Sequence, residues 1–208
     1  LAEFTAAARA AGPGAITTTN ATPAQLEKIR NVRREALTDS VQAFTETHDP
    51  EEAARFYGNL ADTRTLYVAI LEKLGRRYVV QQRFEPAAKI YRTLVALTSD
   101  VERVHEYGQR FFECASKAQA AKPAPKTAAK TKSKLIGTPF LFTADDAIAL
   151  TEVAARYSTS WRVPDEERAA SVVELEKYVR YIATNLQLRA QNTPEKAKRP
   201  LANREAAR

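Results

Sequence analysis

The side chains best suited to nucleophilic or metal chemistry are few and poorly spaced in this chain. Cys114 is the single cysteine, and His105 lies nine residues before it in the same helical pattern. Nine residues of α-helix rise about 13.5 Å, far beyond hydrogen-bond reach, so the two cannot form a nucleophile and base pair. Cys114 is better interpreted as a small buried apolar residue. With His48, the chain has three Cys or His residues in total, whereas a structural zinc site normally has four such ligands.

Adjacent carboxylates occur as Glu51-Glu52, Asp145-Asp146 and Glu166-Glu167. Each pair falls in the first turn of a predicted helix, where the helix dipole stabilises negative charge, so capping explains them better than acid/base chemistry. The sequence contains no glycine-rich phosphate loop, Walker-type lysine motif or Gly-x-Ser-x-Gly turn. It therefore predicts no catalytic residue, metal or cofactor, and we do not expect an enzyme.

The elements that carry these residues are predicted to be helices, because apolar side chains recur at three- and four-residue steps. The first strong helix begins at Thr22, a good N-cap, followed by Pro23 and by Gln25 at the third position. Its buried stripe includes either Val32 or Arg33, since both fit the spacing. No segment is typical of a β-strand, and the chain has only six glycines. The prediction is an all-α fold of about seven helices arranged as antiparallel hairpins.

The C-terminal part is predicted to be a helical hairpin. Thr143 caps its first helix, and Trp161 is expected to close the buried face of that helix. Pro164 precedes the second helix, whose apolar residues follow the 3-4-3-4 spacing of a packed seam. These seam residues are Val172, Leu175, Val179, Ile182 and Leu186.

The positive charge is confined to short stretches. Residues 1–115 carry 15 basic and 15 acidic side chains, whereas residues 116–134 carry six lysines and no acid. Alanine and proline accompany these lysines, a composition typical of a flexible linker. The predicted organisation is an extended N-terminal arm (1–21), a helical repeat-like domain (22–116), a Lys/Ala/Pro linker (117–134), the C-terminal hairpin (135–190) and a basic tail (191–208).

The lysines of the linker could contact phosphate or an acidic surface. Such contact with nucleic acid would be weak and independent of base sequence, because the linker has no aromatic residue or arginine to stack on bases. A solubilising spacer, anionic lipid and an acidic protein are the alternatives. The residues concerned are Lys122, Lys126, Lys130, Lys132 and Lys134.

Leucine, tyrosine and small residues recur at fixed spacing in one part of the chain. Leu71-x-x-Leu74-Gly75-x-x-Tyr78 is followed by Ala87-x-x-x-Tyr91-x-x-Leu94, and Tyr107-Gly108-x-x-Phe111 repeats the first motif after 33 residues. This part, about residues 68–115, resembles the tetratricopeptide repeat. The resemblance covers one full repeat plus half of another, the second unit losing its second helix to the lysine linker. Ser99 stands where the family favours proline.

The resemblance implies that the first helix of each unit lines a face that binds peptides or other proteins. The matching positions here are Glu72, Arg76, His105 and Gln109. Family members that bind C-terminal carboxylates have Lys and Asn at such places, so Glu72 has the wrong charge for that ligand class. The row of tyrosines and phenylalanines could form a ligand groove, but its helical spacing favours core packing.

These observations favour a non-enzymatic protein–protein interaction module, acting as a scaffold or adaptor subunit that binds other proteins of a larger assembly. The alternative is an RNA-associated subunit of a ribonucleoprotein particle, contacting phosphate through the linker and the basic tail. No apolar run approaches the ~20 residues of a membrane span. The lone cysteine favours an intracellular or organellar compartment over secretion. The absence of methionine, even at position 1, indicates a processed or trimmed chain.

Overall fold

The computed structural model describes residues 1–11, 22–121 and 141–192. In these ranges the chain forms eight α-helices and no β-strand, so the predicted all-α class is confirmed for them. A 3-10 turn at Pro50–Glu52 precedes the third helix. The helices are α1 (Ala2–Ala10), α2 (Pro23–Thr47), α3 (Ala53–Leu60), α4 (Arg64–Val80), α5 (Phe84–Leu97), α6 (Val101–Ala121), α7 (Ala144–Ser158) and α8 (Asp165–Asn192).

The helix starts follow the capping signals of the sequence. Thr22 and Gln25 form a capping box at α2, in which the Gln25 side chain accepts a 2.8 Å hydrogen bond from the Thr22 backbone amide. Thr143 and Asp146 form a second capping box at α7, in which Asp146 Oδ2 accepts a 2.7 Å hydrogen bond from the Thr143 backbone amide. Each capping box supplies hydrogen-bond acceptors for backbone amides that lack a partner in the first helical turn. Residues within one turn of each helix start therefore determine where the helix begins.

The chain divides into two compact units, residues 1–94 and 95–208. The boundary predicted from the sequence instead follows residue 116, at the start of the lysine-rich stretch. In the structure α6 runs on to Ala121, so Lys117 is helical. Residues 122–134 of the predicted linker and 193–208 of the predicted tail lie outside the described residues.

The prediction of an extended arm over residues 1–21 is wrong for Ala2–Ala10, which form α1. Alanine is the strongest helix former, but nine residues are too few for a stable isolated helix. Packing against α2 supplies the missing stability and buries Ala8 completely. Residues 12–21 of the predicted arm lie outside the described part of the chain.

Arg33, and not Val32, occupies the buried stripe of α2. Its residue exposure is 7%, against 45% for Val32. The guanidinium donates hydrogen bonds to the backbone carbonyls of Ala8 and Leu60, and its Nε lies 3.5 Å from the carboxylate of Asp62. These carbonyls lie at the C-terminal ends of α1 and α3, where intrahelical donors run out. One side chain of α2 therefore holds two other helix ends.

Aromatic side chains form much of the core of the first unit. Tyr57 is fully buried and packs against Phe44 in a tilted arrangement, with 5.3 Å between ring centroids. Its hydroxyl lies 2.9 Å from the Ser40 hydroxyl. Burial raises the pKa of Tyr57 to about 12. The predicted core role of the aromatic row is confirmed for its buried members. These are Tyr57, Tyr78, Tyr91, Tyr107 and Phe111.

A glycine allows α4 and α5 to approach closely. An ideal Cβ on Gly75 would lie 3.0 Å from the Cζ atom of Tyr91 and 3.4 Å from Cγ2 of Ile90. Tyr91 is itself only 4% exposed, so its ring has little freedom to move. The absence of a side chain at residue 75 is therefore part of this helix–helix contact.

Gly108 has the same role in the second unit. An ideal Cβ there would lie 3.3 Å from Leu150 of α7 and 3.7 Å from Leu175 of α8. Further along, Phe112 of α6 stacks on Tyr178 of α8, so the contacts advance in the same direction on both helices. α6 and α8 are thus parallel, and their C-termini lie at the same end of this unit.

Candidate protein-binding surfaces

The predicted contact residues of α4 are accessible to a partner. Glu72 is partly exposed and Arg76 is exposed, and they follow one another by one helical turn. Both lie beside the buried residues Leu71, Leu74 and Gly75 that fix the helix in the first unit. The structure therefore holds a carboxylate and a guanidinium side by side on a rigid element.

The predicted contact residues of α6 are half-buried and engage their own unit. The His105 ring stacks on Tyr157 of α7 with 4.5 Å between ring centroids. Gln109 Nε2 donates a hydrogen bond of 2.6 Å to the Glu174 carboxylate of α8. Only part of each side chain thus remains available to a partner. No sequence signal points to Glu174, because 65 residues separate it from Gln109.

Burial controls the protonation of His105. It lowers the pKa of the imidazole, although the carboxylates of Glu174 and Glu167 act in the opposite direction. Among the described residues, no group hydrogen-bonds the buried Nε2 atom. The folded state therefore favours the neutral ring over the charged one.

Acidification should consequently destabilise the second unit through His105. Because the folded pKa lies below the ordinary value of 6.5, the unfolded chain binds a proton first, and stability falls as the pH drops from about 6.5 toward the folded pKa. The measurement is the denaturant midpoint at about pH 7.5 and about pH 5.5, for the wild type and His105→Gln. The wild type should lose more stability between the two pH values than His105→Gln. Equal losses in wild type and His105→Gln would contradict this role.

An aromatic strip joins α6 and α8 and consists of Phe112, Phe142, Tyr178 and Tyr181. Phe112 stacks on Tyr178 at 3.9 Å with an interplanar angle of 12°, and Phe142 lies 5.2 Å from Phe112. The Tyr178 hydroxyl donates to the same Glu174 that accepts from Gln109. Burial and this carboxylate raise the pKa of Tyr178. Tyr181, at the edge of the strip, is 40% exposed.

Trp161 lies in the turn between α7 and α8 and is 85% exposed. The prediction that it closes the buried face of α7 is wrong, and the buried residues on either side of the turn are Tyr157 and Val163. The Arg162 guanidinium lies over the indole, 5.5 Å from its centroid. Trp161, Arg162 and Arg156 border a depression of about 350 Å³. Tryptophan and arginine are the residues that most often dominate binding energy in protein interfaces.

Three of the residues considered for chemistry have structural contacts in this fold. Cys114 is buried, and burial raises the pKa of its thiol to about 11, which leaves little thiolate for nucleophilic attack. Asp146 caps α7, and Glu51 is paired with Lys89. In the described ranges, no three His, Cys, Asp or Glu side chains converge into a group that could hold a metal ion.

The lysines predicted to contact phosphate fall between α6 and α7. Lys122, Lys126, Lys130, Lys132 and Lys134 lie outside the described residues. Among the helices that the structure describes, none has the length and apolar character needed to cross a membrane.

The sequence matches no protein-family model, and no curated protein or solved structure is detectably similar to the chain.

Proposed function

We propose that this chain is a non-enzymatic protein-interaction module that acts as a scaffold or adaptor subunit of a larger assembly. The observation that carries the proposal is the equivalent use of two glycines 33 residues apart. Gly75 lets α4 approach Tyr91 of α5, and Gly108 lets α6 approach Leu150 of α7. Close approach at the same point of successive helix pairs is what tetratricopeptide-like packing requires.

In this proposal α7 is the second helix of the second repeat-like pair. From the sequence alone, that second helix is predicted to be lost to the lysine-rich stretch. Gly108 lies close to Leu150 and Val153 of α7, and this supports identifying α7 as that second helix. α7 is separated from α6 in sequence but packs against it. The stretch between Ala121 and Leu141 is then an insertion within a hairpin. Insertions between packed elements are well tolerated, because the entropy of loop closure rises slowly with length.

The surface that we assign to partner binding is the pair Glu72 and Arg76 on α4, of which Glu72 is partly exposed and Arg76 exposed. Opposite charges one turn apart favour a partner that presents the complementary pair, and such charges contribute to specificity and association rate. The rigid placement of α4 by its buried face limits the ordering entropy lost on binding.

The test is affinity purification of the full chain, followed by quantification of the co-purifying proteins. The double reversal E72K/R76E should lose at least one of these proteins by about tenfold or more, because like charges then face the partner. The matched control is R34E/E35K on α2, two exposed residues with the same pair of charges. A set of co-purifying proteins that both variants retain equally would contradict the assignment of Glu72 and Arg76.

A second candidate function is association with RNA through the basic stretches. The parallel course of α6 and α8 favours it, because the chain leaves both helices at the same end of the second unit. Residues 122–134, which follow α6, carry five lysines and no acid. Residues 193–208, which follow α8, carry five basic and two acidic side chains. Two basic stretches attached at one end can contact the same phosphate backbone.

Salt dependence distinguishes the two functions. Binding of generic single-stranded RNA is measured at about 50 and about 200 mM salt, for the intact chain and for a chain without residues 122–134, which leaves α6 complete. A steep loss of affinity with salt that disappears on deletion supports the RNA candidate. No measurable binding by either chain contradicts it and leaves the adaptor proposal unaffected.

A further inference from the structure

An open groove runs between α7 and α8 in the second unit. Its volume is about 540 Å³, and it lies toward the end of the hairpin that carries the connecting turn. The floor is apolar, whereas two charged residues of α8, Glu176 and Arg180, lie along it. The apolar part of its lining consists of Ala154, Ala155, Val172 and Val179.

The apolar seam of α8 is only partly covered by its own unit. Leu175 and Ile182 are completely buried, as the seam prediction requires. Val172 and Val179 of the same seam are only half-buried, and the neighbouring Val173 is 49% exposed. α8 therefore has an apolar stripe wider than α6 and α7 cover, and Val172 and Val179 of this stripe line the groove.

The charges on this stripe are complementary to themselves. Glu176 and Arg180 are both exposed, and within the described residues neither has an ion-pair partner. If a second α8 lies antiparallel with a two-fold axis at the level of residue 178, Glu176 of each copy lies opposite Arg180 of the other. The same axis places Val173 opposite the exposed Ala183, so a large side chain meets a small one twice.

We propose that this groove binds the same groove of a second copy of the chain, forming a two-fold symmetric dimer through an antiparallel pair of α8 helices. Such an interface uses one patch twice, so each favourable contact is made twice. Val172 and Val179 supply the apolar centre, and the two Glu176–Arg180 contacts fix the direction and register of the helices. This surface is separate from the α4 pair assigned to other partners.

The test is sedimentation equilibrium of the full chain in the wild type, E176R, R180E and the combined E176R/R180E variant. The wild type should show a monomer–dimer equilibrium. Each single reversal places like charges in both symmetric contacts and should raise the dimer dissociation constant by about tenfold or more. The combined variant restores opposite charges across the axis and should recover dimerisation.

The control is K177E, because Lys177 is exposed on α8 but does not line the groove. It should dimerise like the wild type, and circular dichroism should show all variants folded. A wild type that stays monomeric at about 100 µM would overturn the proposal. So would a combined variant as weakened as the single reversals, since the symmetric charge pairing would then not exist.

Discussion

Replacing Arg33 with methionine should lower the free energy of unfolding of the first unit by about 3 kcal/mol. Methionine keeps much of the apolar volume of the side chain but cannot donate hydrogen bonds. The carbonyls of Ala8 and Leu60 would lose their donor in a buried site, and Asp62 would lose its counter-charge. A buried polar group without a partner costs far more than an exposed one.

The measurement is denaturant unfolding followed by circular dichroism, together with amide hydrogen exchange. Exchange should accelerate most at the C-terminal ends of α1 and α3, because Arg33 holds those ends. The control is Arg34→Met, the neighbouring exposed arginine, which should change stability by less than about 0.5 kcal/mol. If the two variants were equally stable, the guanidinium of Arg33 would not be the link between these helices.

Gly75→Leu should destabilise the first unit by about 2 to 3 kcal/mol. The new Cβ would lie 3.0 Å from the Tyr91 ring, and the rest of the leucine would extend into the space that this ring occupies. Tyr91 is buried, so relief requires α4 and α5 to separate. The gain in helix propensity over glycine, about 1 kcal/mol, offsets only part of this cost.

Gly58→Leu is the size-matched control for this substitution. Gly58 is also helical, but it is exposed, and an added Cβ would meet only the end of the Tyr67 ring at an ordinary distance of 3.7 Å. Its stability should stay equal to the wild type or rise by about 0.5 kcal/mol. Thermal and denaturant unfolding of both variants provide the comparison. A destabilised Gly58→Leu beside a tolerant Gly75→Leu would reverse our assignment of the close contact.

The helices themselves were largely predictable from the sequence, because their signals are local. The capping boxes at Thr22 and Thr143 act within one turn, and the three- and four-residue spacing of apolar side chains reflects the helix period. The first helix is not predicted from the sequence, because its stability depends on a contact with another helix and not on local signals. Ala2–Ala10 carry a helix-favouring composition without a strong apolar stripe, and contact with α2 stabilises them.

The candidate surfaces were less predictable, because they depend on which helices meet. The positions of Glu72, Arg76, His105 and Gln109 came from the repeat resemblance, and their role in binding stays a prediction. That His105 meets Tyr157, and Gln109 meets Glu174, follows only from the packing of α7 and α8 on α6.

Local information in this chain therefore determined where its helices begin, which faces are apolar and that the class is all-α. Contacts between residues distant in sequence decided the rest. Periodicity allowed either Val32 or Arg33 into the buried stripe, and carbonyls 25 and 27 residues away made Arg33 the buried one. Trp161 was expected inside but remains exposed. Helix propensity and capping act over a few residues, whereas burial of a side chain requires partners that only the assembled fold provides.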